Sequence, residues 1–238
     1  MSLAGIAGLL ADRTRAEFCL ALLDGRAWTA GELARHAGVT PSTASEQLSR
    51  LVTGGLLTEE RQGRHRYVRL AGPQAAALIE DLAAYSPSTP VAAVPPRTPR
   101  NLRESTRLSA EARARTCYDH LAGHLGVSIA DAFVERGLVA DDAGLVVTRT
   151  GQAWLGDLGI DLHALKGTRP TIRTCLDWTE RRTHLAGMVG AALCRQALER
   201  GWVQRIGSGR AVRVTPDGDQ AFQERLGIDL RTDDALRP

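Results

Sequence analysis

The stretch that decides the fold of this chain is ELARHAGVTPSTASEQLSRL, residues Glu32–Leu51. Thr40 and Pro41 form a helix start, because threonine caps the first turn and proline fits its first position. The apolar residues that follow recur at helical spacing and are Ala44, Leu48 and Leu51. Gly54 ends this pattern. The stretch therefore predicts a second helix that begins a short turn after an earlier one.

The segments on either side complete the pattern. Upstream, AGIAGLLADRTRAEFCLALLDG (residues 4–25) predicts one amphipathic helix that stops at Gly25, and Thr29 with Glu32 predicts a capping box for the next helix. Downstream, LLTEERQGRHRYVRL (residues 56–70) alternates polar and apolar residues about a glycine, which predicts a hairpin. PQAAALIEDLAAY (residues 73–85) predicts a closing helix. Two helices and a basic hairpin in this order are typical of a winged helix-turn-helix.

Residues 3–85 resemble the ArsR family of bacterial repressors. The words that carry the resemblance are LADRTR (Leu10–Arg15), the opening stretch, GLL (Gly55–Leu57) and QGRHRYVRL (Gln62–Leu70). The resemblance implies a homodimer that binds double-stranded operator DNA and needs no cofactor for it. The chain departs from the metal-sensing members, because GELARHAG stands in place of their cysteine-containing box and Gln47 stands where a histidine is frequent. We therefore expect no metal site in this module.

The helix-turn-helix assigns DNA contacts to the second helix and to the hairpin. The N-terminal residues of such a helix face base edges, where glutamine pairs with adenine, arginine pairs with guanine, and short hydroxyls reach phosphates. A short basic run is by itself a solvated face, but beside a helix-turn-helix it favours contact with the DNA backbone or minor groove. The candidate residues are Ser42, Thr43, Ser45, Gln47 and Arg50 on the helix and Arg61, Arg64 and Arg66 on the hairpin.

Composition places the chain among soluble globular proteins. It has 238 residues with 43% hydrophobic and 24% charged residues, and no apolar run is long enough to span a membrane. We expect a cytoplasmic protein without membrane contact. The net charge is only +3, so any contact with nucleic acid must come from a local patch. In a reducing compartment, the four cysteines are expected to be free thiols: Cys19, Cys117, Cys175 and Cys194.

A proline-rich segment separates the two halves of the chain. SPSTPVAAVPPRTPR (Ser86–Arg100) contains five of the ten prolines, which predicts an extended linker. We expect a winged helix-turn-helix domain at residues 1–85, a linker at 86–104, and a C-terminal domain at 105–238 for sensing or dimerisation.

The C-terminal half is duplicated. HLAGHLGVSIADAFVERGLV (His120–Val139) and HLAGMVGAALCRQALERGWV (His184–Val203) are identical at nine of twenty positions, and each copy opens with RTCxD and closes with LGIDL. Each copy predicts helix, hairpin and helix, which gives two tandem winged-helix-like repeats at about 108–165 and 169–232. The fold class is mainly α with small β-hairpins. The words CYDHLAG and DWTERRTHLAG also resemble a C-terminal extension found in a larger subset of ArsR-type regulators.

The doubled opening word carries the candidate sensor residues. On a helix, Cys117, His120 and His124 share one face at i, i+3 and i+7. The second copy supplies Cys175, Asp177 and His184. Three interpretations stay open: cysteine as small core filler, a ligand pocket or thiol sensor, and a soft-metal site. The metal interpretation involves Cys117, His120, Cys175 and His184, and the sequence commits to no metal and leaves the cofactor unknown.

Three functions follow for the whole chain. The first is a dimeric DNA-binding repressor whose C-terminal half senses a small ligand, the thiol redox state or a metal. The second makes the C-terminal half a module for dimerisation or partner binding alone. The third is an enzyme with a cysteine nucleophile and a histidine base. The sequence offers no oxyanion device, phosphate loop or nucleotide fingerprint, so we expect a regulator and no enzyme.

Overall fold

A computed structural model describes residues 2–62, 65–85, 102–141, 144–167, 169–177, 179–207 and 209–230. The chain divides into two compact units, Met1–Ala83 and Ala84–Pro238. Helices and small antiparallel sheets build both units, which confirms the mainly α fold class. Most of the proline-rich segment lies outside the described residues, and a helix already begins at Leu102, inside the predicted linker.

The N-terminal unit is a winged helix-turn-helix. Its helices are α1 (Leu3–Leu10), α2 (Arg13–Ala21), α3 (Ala30–Ala37), α4 (Pro41–Thr53) and α5 (Pro73–Tyr85). Its strands are β1 (Trp28–Thr29), β2 (Leu57–Gln62) and β3 (His65–Leu70), in the antiparallel order β1-β3-β2. Strand β1, which the sequence did not indicate, pairs Trp28 with Val68 and ties the turn before α3 to the wing.

The prediction of one long first helix was wrong. The chain breaks between α1 and α2 because Asp12 caps α2, where its carboxylate accepts a hydrogen bond from the Arg15 backbone at 3.0 Å. The Arg15 side chain turns back and donates to the carbonyls of Leu9 and Gly8 at 2.5 and 2.9 Å. These carbonyls lie at the end of α1, where helix carbonyls lack partners within the helix. The buried Arg15 guanidinium, from the first turn of α2, supplies their hydrogen bonds.

The predicted helix starts in the motif are confirmed. Thr29 and Glu32 form both hydrogen bonds of the capping box at α3. Thr40 caps α4, and Pro41 occupies its first turn. The inner side of α4 is buried through Ala44, Leu48 and Leu51. Burial of this side fixes which residues of α4 point outwards.

The C-terminal unit contains four small hairpins and five helices among the described residues. The helices are α6 (Leu102–Arg113), α7 (Gly123–Glu135), α8 (Arg149–Asp157), α9 (Gly187–Glu199) and α10 (Pro216–Leu226). The strands are β4 (Arg115–Cys117), β5 (His120–Ala122), β6 (Val139–Ala140), β7 (Val146–Val147), β8 (Arg173–Leu176), β9 (Thr183–Ala186), β10 (Val203–Arg205) and β11 (Val212–Val214). They pair antiparallel as β4-β5, β6-β7, β8-β9 and β10-β11. None of the helices in the described part of the chain has the length and apolarity needed to span a bilayer.

Each repeat has the order hairpin, helix, hairpin, helix. The placement of Cys117 and His120 on a helix was therefore wrong, because they are direct cross-strand partners at the end of the β4-β5 hairpin. Helix α7 begins only at Gly123, whose φ of +74° is left-handed. A side chain at that position would also place its Cβ 2.7 Å from the Ala112 carbonyl oxygen. This glycine turns the chain sharply out of the strand and into the helix.

The two repeats share one core. Helix α7 packs against β9 of the second repeat, and α9 packs against β5 of the first. Phe133, Leu155, Val189 and Phe222 belong to one continuous buried cluster that spans both copies. This reciprocal packing brings the two doubled hairpins, β4-β5 and β8-β9, together.

Candidate functional site

Cys117, His120, Cys175 and His184 meet at one point between the two hairpins. One nitrogen or sulfur atom from each residue lies within 4.8 Å of the corresponding atoms of the other three. All four side chains are buried, with exposed fractions of 7%, 2%, 6% and 0% in that order. The cluster consists of two equivalent pairs, since Cys175 and His184 are cross-strand partners in β8-β9 as Cys117 and His120 are in β4-β5.

The two imidazole rings face each other. Nε2 of His120 lies 3.1 Å from Nε2 of His184, and the ring centroids are 5.0 Å apart. Burial lowers the pKa of His184 to about 3, a positive charge on His120 would act in the same direction, and the carboxylate of Asp177 opposes both. His184 is therefore neutral near pH 7, which leaves one of its ring nitrogens with a lone pair.

A carboxylate stands behind each ring. Oδ1 of Asp119 lies 3.5 Å from Nδ1 of His120, and Oδ2 of Asp177 lies 3.4 Å from Nδ1 of His184. The aspartates occupy equivalent positions in the doubled RTCxD word. Among the described residues, His184 Nδ1 has no partner with hydrogen-bond geometry, so its contact with Asp177 is close but not aligned. Asp119 was not among the predicted site residues, although its place in the repeated word was the available signal.

Asp177 also joins the two repeats directly. Its Oδ1 accepts from Arg115 Nη2 at 2.8 Å and from the Thr179 hydroxyl at 2.6 Å, and its Oδ2 accepts from the Gly123 backbone at 2.6 Å. Burial would raise the pKa of Asp177, but the charge of Arg115 and these hydrogen bonds lower it well below its usual range. An ionised carboxylate of the second copy thus holds the start of α7 in the first.

His124 does not join the converging group. It lies on α7, beyond the glycine that ends β5, and its Nδ1 lies 3.1 Å from Oε2 of Glu180. The helical spacing that linked it to His120 does not apply, because His120 is in a strand. The four converging side chains are therefore a smaller set than the six predicted sensor residues.

Two small apolar cavities lie beside the hairpins. One of about 20 Å³ is lined by Leu121 and Trp154 among others, and one of about 10 Å³ is lined by residues of both copies, including Leu121 and Leu185. These volumes are near that of a single water molecule, so neither cavity admits an organic ligand.

In the N-terminal unit, α4 presents polar side chains on its outer side. Ser42, Ser45 and Arg50 are exposed, and Thr43 is half-buried beside the cap. Nη2 of Arg50 pairs with Glu46 at 2.7 Å, and both side chains are more than half exposed. This surface places hydroxyl donors in the first turns of α4, the end expected to face bases, whereas the Arg50 guanidinium lies in the last turn of the helix.

Other predicted DNA contacts are engaged within the protein. Gln47 accepts a hydrogen bond from Arg15 at 2.6 Å, which fixes its amide and leaves the NH₂ group as its available donor. Arg66 pairs with Glu59 across the wing and donates to the Ser49 hydroxyl of α4 at 3.2 Å. Arg61 is exposed on β2, and Arg64 lies outside the described residues.

Comparisons with known proteins give matches to part or nearly all of this chain. A family model described as a helix-turn-helix domain matches residues 10–60. The chain is 40% identical over 231 residues to the HTH-type transcriptional regulator YdfF of Bacillus subtilis, which covers 96% of this chain and 99% of that protein. It is 38% identical over 81 residues to the HTH-type transcriptional regulator CmtR of Mycobacterium bovis, covering 34% of this chain and 68% of CmtR. The NMR structure of the cadmium metal sensor CmtR from Mycobacterium tuberculosis is 36% identical, covers 41% of this chain and 95% of that one, and has a TM-score of 0.30.

The helix-turn-helix, its wing, the match to the domain model and the match to YdfF define a DNA-binding transcriptional regulator. The chain belongs to the family of HTH-type transcriptional regulators that includes YdfF, and the match to YdfF extends through the duplicated C-terminal unit.

Proposed function

We propose that the protein is a homodimeric repressor that binds operator DNA through α4 and the β2-β3 wing, and that its C-terminal unit senses an effector at the cysteine and histidine cluster. The observation that carries the DNA-binding part is the polar outer side of α4, where Ser42 and Ser45 are exposed near the capped helix start and Arg50 is exposed in the last turn. A helix of this kind enters the major groove with its first turns against base edges.

Arg50 lies in the last turn of α4, and we propose that its long side chain reaches a guanine edge or a phosphate. Its present partner is Glu46, but exposed i,i+4 ion pairs contribute only about 0.3–0.5 kcal/mol, so exchanging Glu46 for a guanine edge or a phosphate costs little. Ser42, Thr43 and Ser45 supply hydroxyls for phosphate contacts.

Gln47 and Arg66 have a second role in this proposal. The hydrogen bond between Gln47 and Arg15 holds α4, the proposed recognition helix, against α2. The hydrogen bond between Arg66 and Ser49 holds α4 against the wing. They therefore position the interface as well as contacting DNA. Arg61 is exposed towards solvent, and Arg64 enters the proposal from the sequence alone.

The homodimer follows from the family resemblance. Leu3 on α1 and Leu82 on α5 are 85% and 49% exposed, and they supply apolar surface suited to a partner subunit. A purely assembling C-terminal unit is the competing proposal. The buried cluster favours sensing, because polar groups are costly in a core unless they are bonded or bind something.

We infer binding and not catalysis at the cluster. A nucleophilic cysteine needs a groove that holds its substrate, whereas the two cavities described beside the hairpins have about the volume of a single water molecule. The relatives named above are transcriptional regulators, which agrees with this inference.

Selection of duplexes from a random DNA library by the full chain tests the proposal. We expect an enriched site, and Arg50→Ala should weaken binding to it by about 1–3 kcal/mol with relaxed preference at one base pair. Arg182→Ala is the matched control, because Arg182 is also exposed and ion-paired, to Asp131, but lies in the C-terminal unit. Arg64→Ala should lower the salt dependence by about one unit. Absence of any enriched site, or equal binding by the Arg50 and control variants, would count against the recognition helix. The sensing part is tested by repeating the measurement with Zn²⁺, copper salts or an oxidant.

A further inference from the structure

We propose that Cys117, His120, Cys175 and His184 bind one thiophilic divalent cation in a tetrahedral site between the two repeats. The proposal deepens the sensing function above and rests on it only for the effect of the ion on DNA binding. The site consists of one cysteine and histidine pair from each hairpin, so the ion joins the two copies.

The donor set and its spacing suit such an ion. Zinc-type ions take two sulfur and two nitrogen ligands at about 2.3 and 2.0–2.1 Å, which places the ligand atoms of a tetrahedron about 3.3 to 3.8 Å apart. Here all four ligand atoms lie within 4.8 Å of one another, and the two Nε2 atoms are 3.1 Å apart. Small side-chain movements are enough to close the site around an ion.

The hydrogen positions on the two rings give an independent argument. If neutral His120 donates from Nε2 to His184, its Nδ1 carries a lone pair that faces the carboxylate of Asp119 at 3.5 Å. If His184 donates instead, its Nδ1 lone pair faces Asp177 at 3.4 Å. One acceptor then faces another in either case, because a neutral imidazole has only one N–H.

A cation between the rings removes this conflict. The Nδ1–H of His120 can then point at Asp119 and that of His184 lies close to Asp177, while both Nε2 lone pairs point at the ion. This is the arrangement in which metal-binding histidines are held by carboxylates behind them. An added proton would also supply the missing N–H group of the two rings, but it would leave the two sulfur atoms without a role. A metal ion binds the two sulfur atoms as well.

The carboxylates are themselves held in place. Asp119 accepts from Arg169 at 2.6 Å, and Asp177 accepts from Arg115 at 2.8 Å. Asp119 and Asp177 are therefore positioning residues that orient the histidines. The cavities beside the hairpins are too small for an organic effector, so the cluster fits an ion better than a small molecule.

Cobalt titration of the reduced, chelator-treated full chain tests the site. We expect one Co²⁺ per chain, with the visible bands of tetrahedral cobalt and an intense thiolate-to-cobalt absorption, and displacement by Zn²⁺. The double variant Cys117→Ser, Cys175→Ser should lose the thiolate absorption. Cys194→Ser is the matched control, because Cys194 is another buried thiol of the same unit, on α9, and should keep it. Circular dichroism checks that each variant is folded.

The positioning role of Asp119 is tested by a separate measurement. Asp119→Asn should keep the cobalt spectrum but weaken zinc affinity about 10–100-fold, as changes behind metal-binding histidines do. Affinity is measured by competition with a chromophoric chelator.

The wild-type spectrum shows whether the cysteines bind the metal even where a variant does not fold. Histidine and carboxylate ligands alone give no thiolate absorption. A folded wild type without that absorption, or a folded double variant that retains it, overturns the metal site. If the absorption forms but operator affinity is the same with and without Zn²⁺, the metal site stands and the sensing proposal is overturned. If the protein binds the enriched DNA site but binds no metal, the metal site alone is overturned.

Discussion

His120 and His184 each pack against the glycine of the other repeat, in addition to facing each other at 3.1 Å. A Cβ added at Gly126 would lie 3.5 Å from the Cβ of His184, and one added at Gly190 would lie 3.2 Å from the Cβ of His120. The second glycine of the doubled HLAGxxG word therefore makes room for the histidine strand of the partner repeat. The exchange is reciprocal, which places the pseudo-twofold axis of the duplication between the two rings.

Substitution of these glycines should destabilise the C-terminal unit. In Gly190→Ala the new Cβ would lie 2.6 Å from the backbone oxygen of Leu185, which cannot move as a flexible side chain would. We expect a loss of about 1–3 kcal/mol, typical of overpacking, measured by urea unfolding. Gly156→Ala in α8 is the control, because nothing lies within 4 Å of its added Cβ. That variant should gain up to about 1 kcal/mol from helix propensity. Equal stability of the two variants would argue against the close approach.

The N-terminal motif was predictable because its signals are local. A threonine followed by proline, and a threonine three residues before a glutamate, fix helix starts without knowledge of the rest of the chain. The break at Asp12 was missed, since it depends on the buried Arg15 side chain that bonds back to α1. Strand β1 is only two residues long and forms through its pairing with β3, which sequence periodicity does not reveal.

The residues of the cluster were predicted from the doubled words of the repeat, but their local structure was not. A spacing of three residues between Cys117 and His120 fits a helical turn, and it equally fits the two ends of a two-residue β-turn. Periodicity cannot separate these two cases, whereas the left-handed Gly123 decides for the hairpin. The two copies meet because α7 packs against β9 and α9 packs against β5, and these segments lie far apart in the sequence.

Zinc should raise the melting temperature of the C-terminal unit. An ion that binds only the folded protein stabilises it by about 2.7 kcal/mol at a free concentration of 100 times its Kd. We expect a concentration-dependent shift in calorimetry of the wild type, because ligands from both repeats must be assembled for binding. The shift should be small in Cys175→Ser and unchanged in Cys194→Ser. A Mg²⁺ series serves as the ion control, since magnesium prefers oxygen ligands.

Asp177→Asn should be strongly destabilising. The carboxylate of Asp177 and the guanidinium of Arg115 are both fully buried, so the substitution removes a direct negative partner from a buried positive charge. Breaking a buried ion pair in this way costs about 3–5 kcal/mol. Asp131→Asn is the comparison, because its pair with Arg182 is exposed and should contribute less than about 1 kcal/mol. Denaturant unfolding of both variants measures the difference, and similar losses would show that the buried pair has no special weight.

The four cysteines should react with an alkylating reagent in two classes. Burial raises the pKa of Cys19 to about 12, against the opposing charge of Arg15, and it raises the pKa of Cys194 to about 12 as well. These two thiols stay protonated near neutral pH, and the thiolate is the reactive form. Cys117 and Cys175 lie beside imidazoles and are 7% and 6% exposed, compared with 0% for Cys19 and 3% for Cys194.

We therefore expect Cys117 and Cys175 to be alkylated first in the reduced, metal-free protein, as followed by peptide mass spectrometry over time. Zn²⁺ should slow these two rates selectively, because a thiolate that ligates a metal is no longer free to attack. The rates at Cys19 and Cys194 are the internal control, and they should change only with global unfolding. Equal rates at all four thiols, or zinc protection that extends equally to Cys194, would instead indicate that labelling reports unfolding and that the paired hairpins do not set the reactivity of their cysteines.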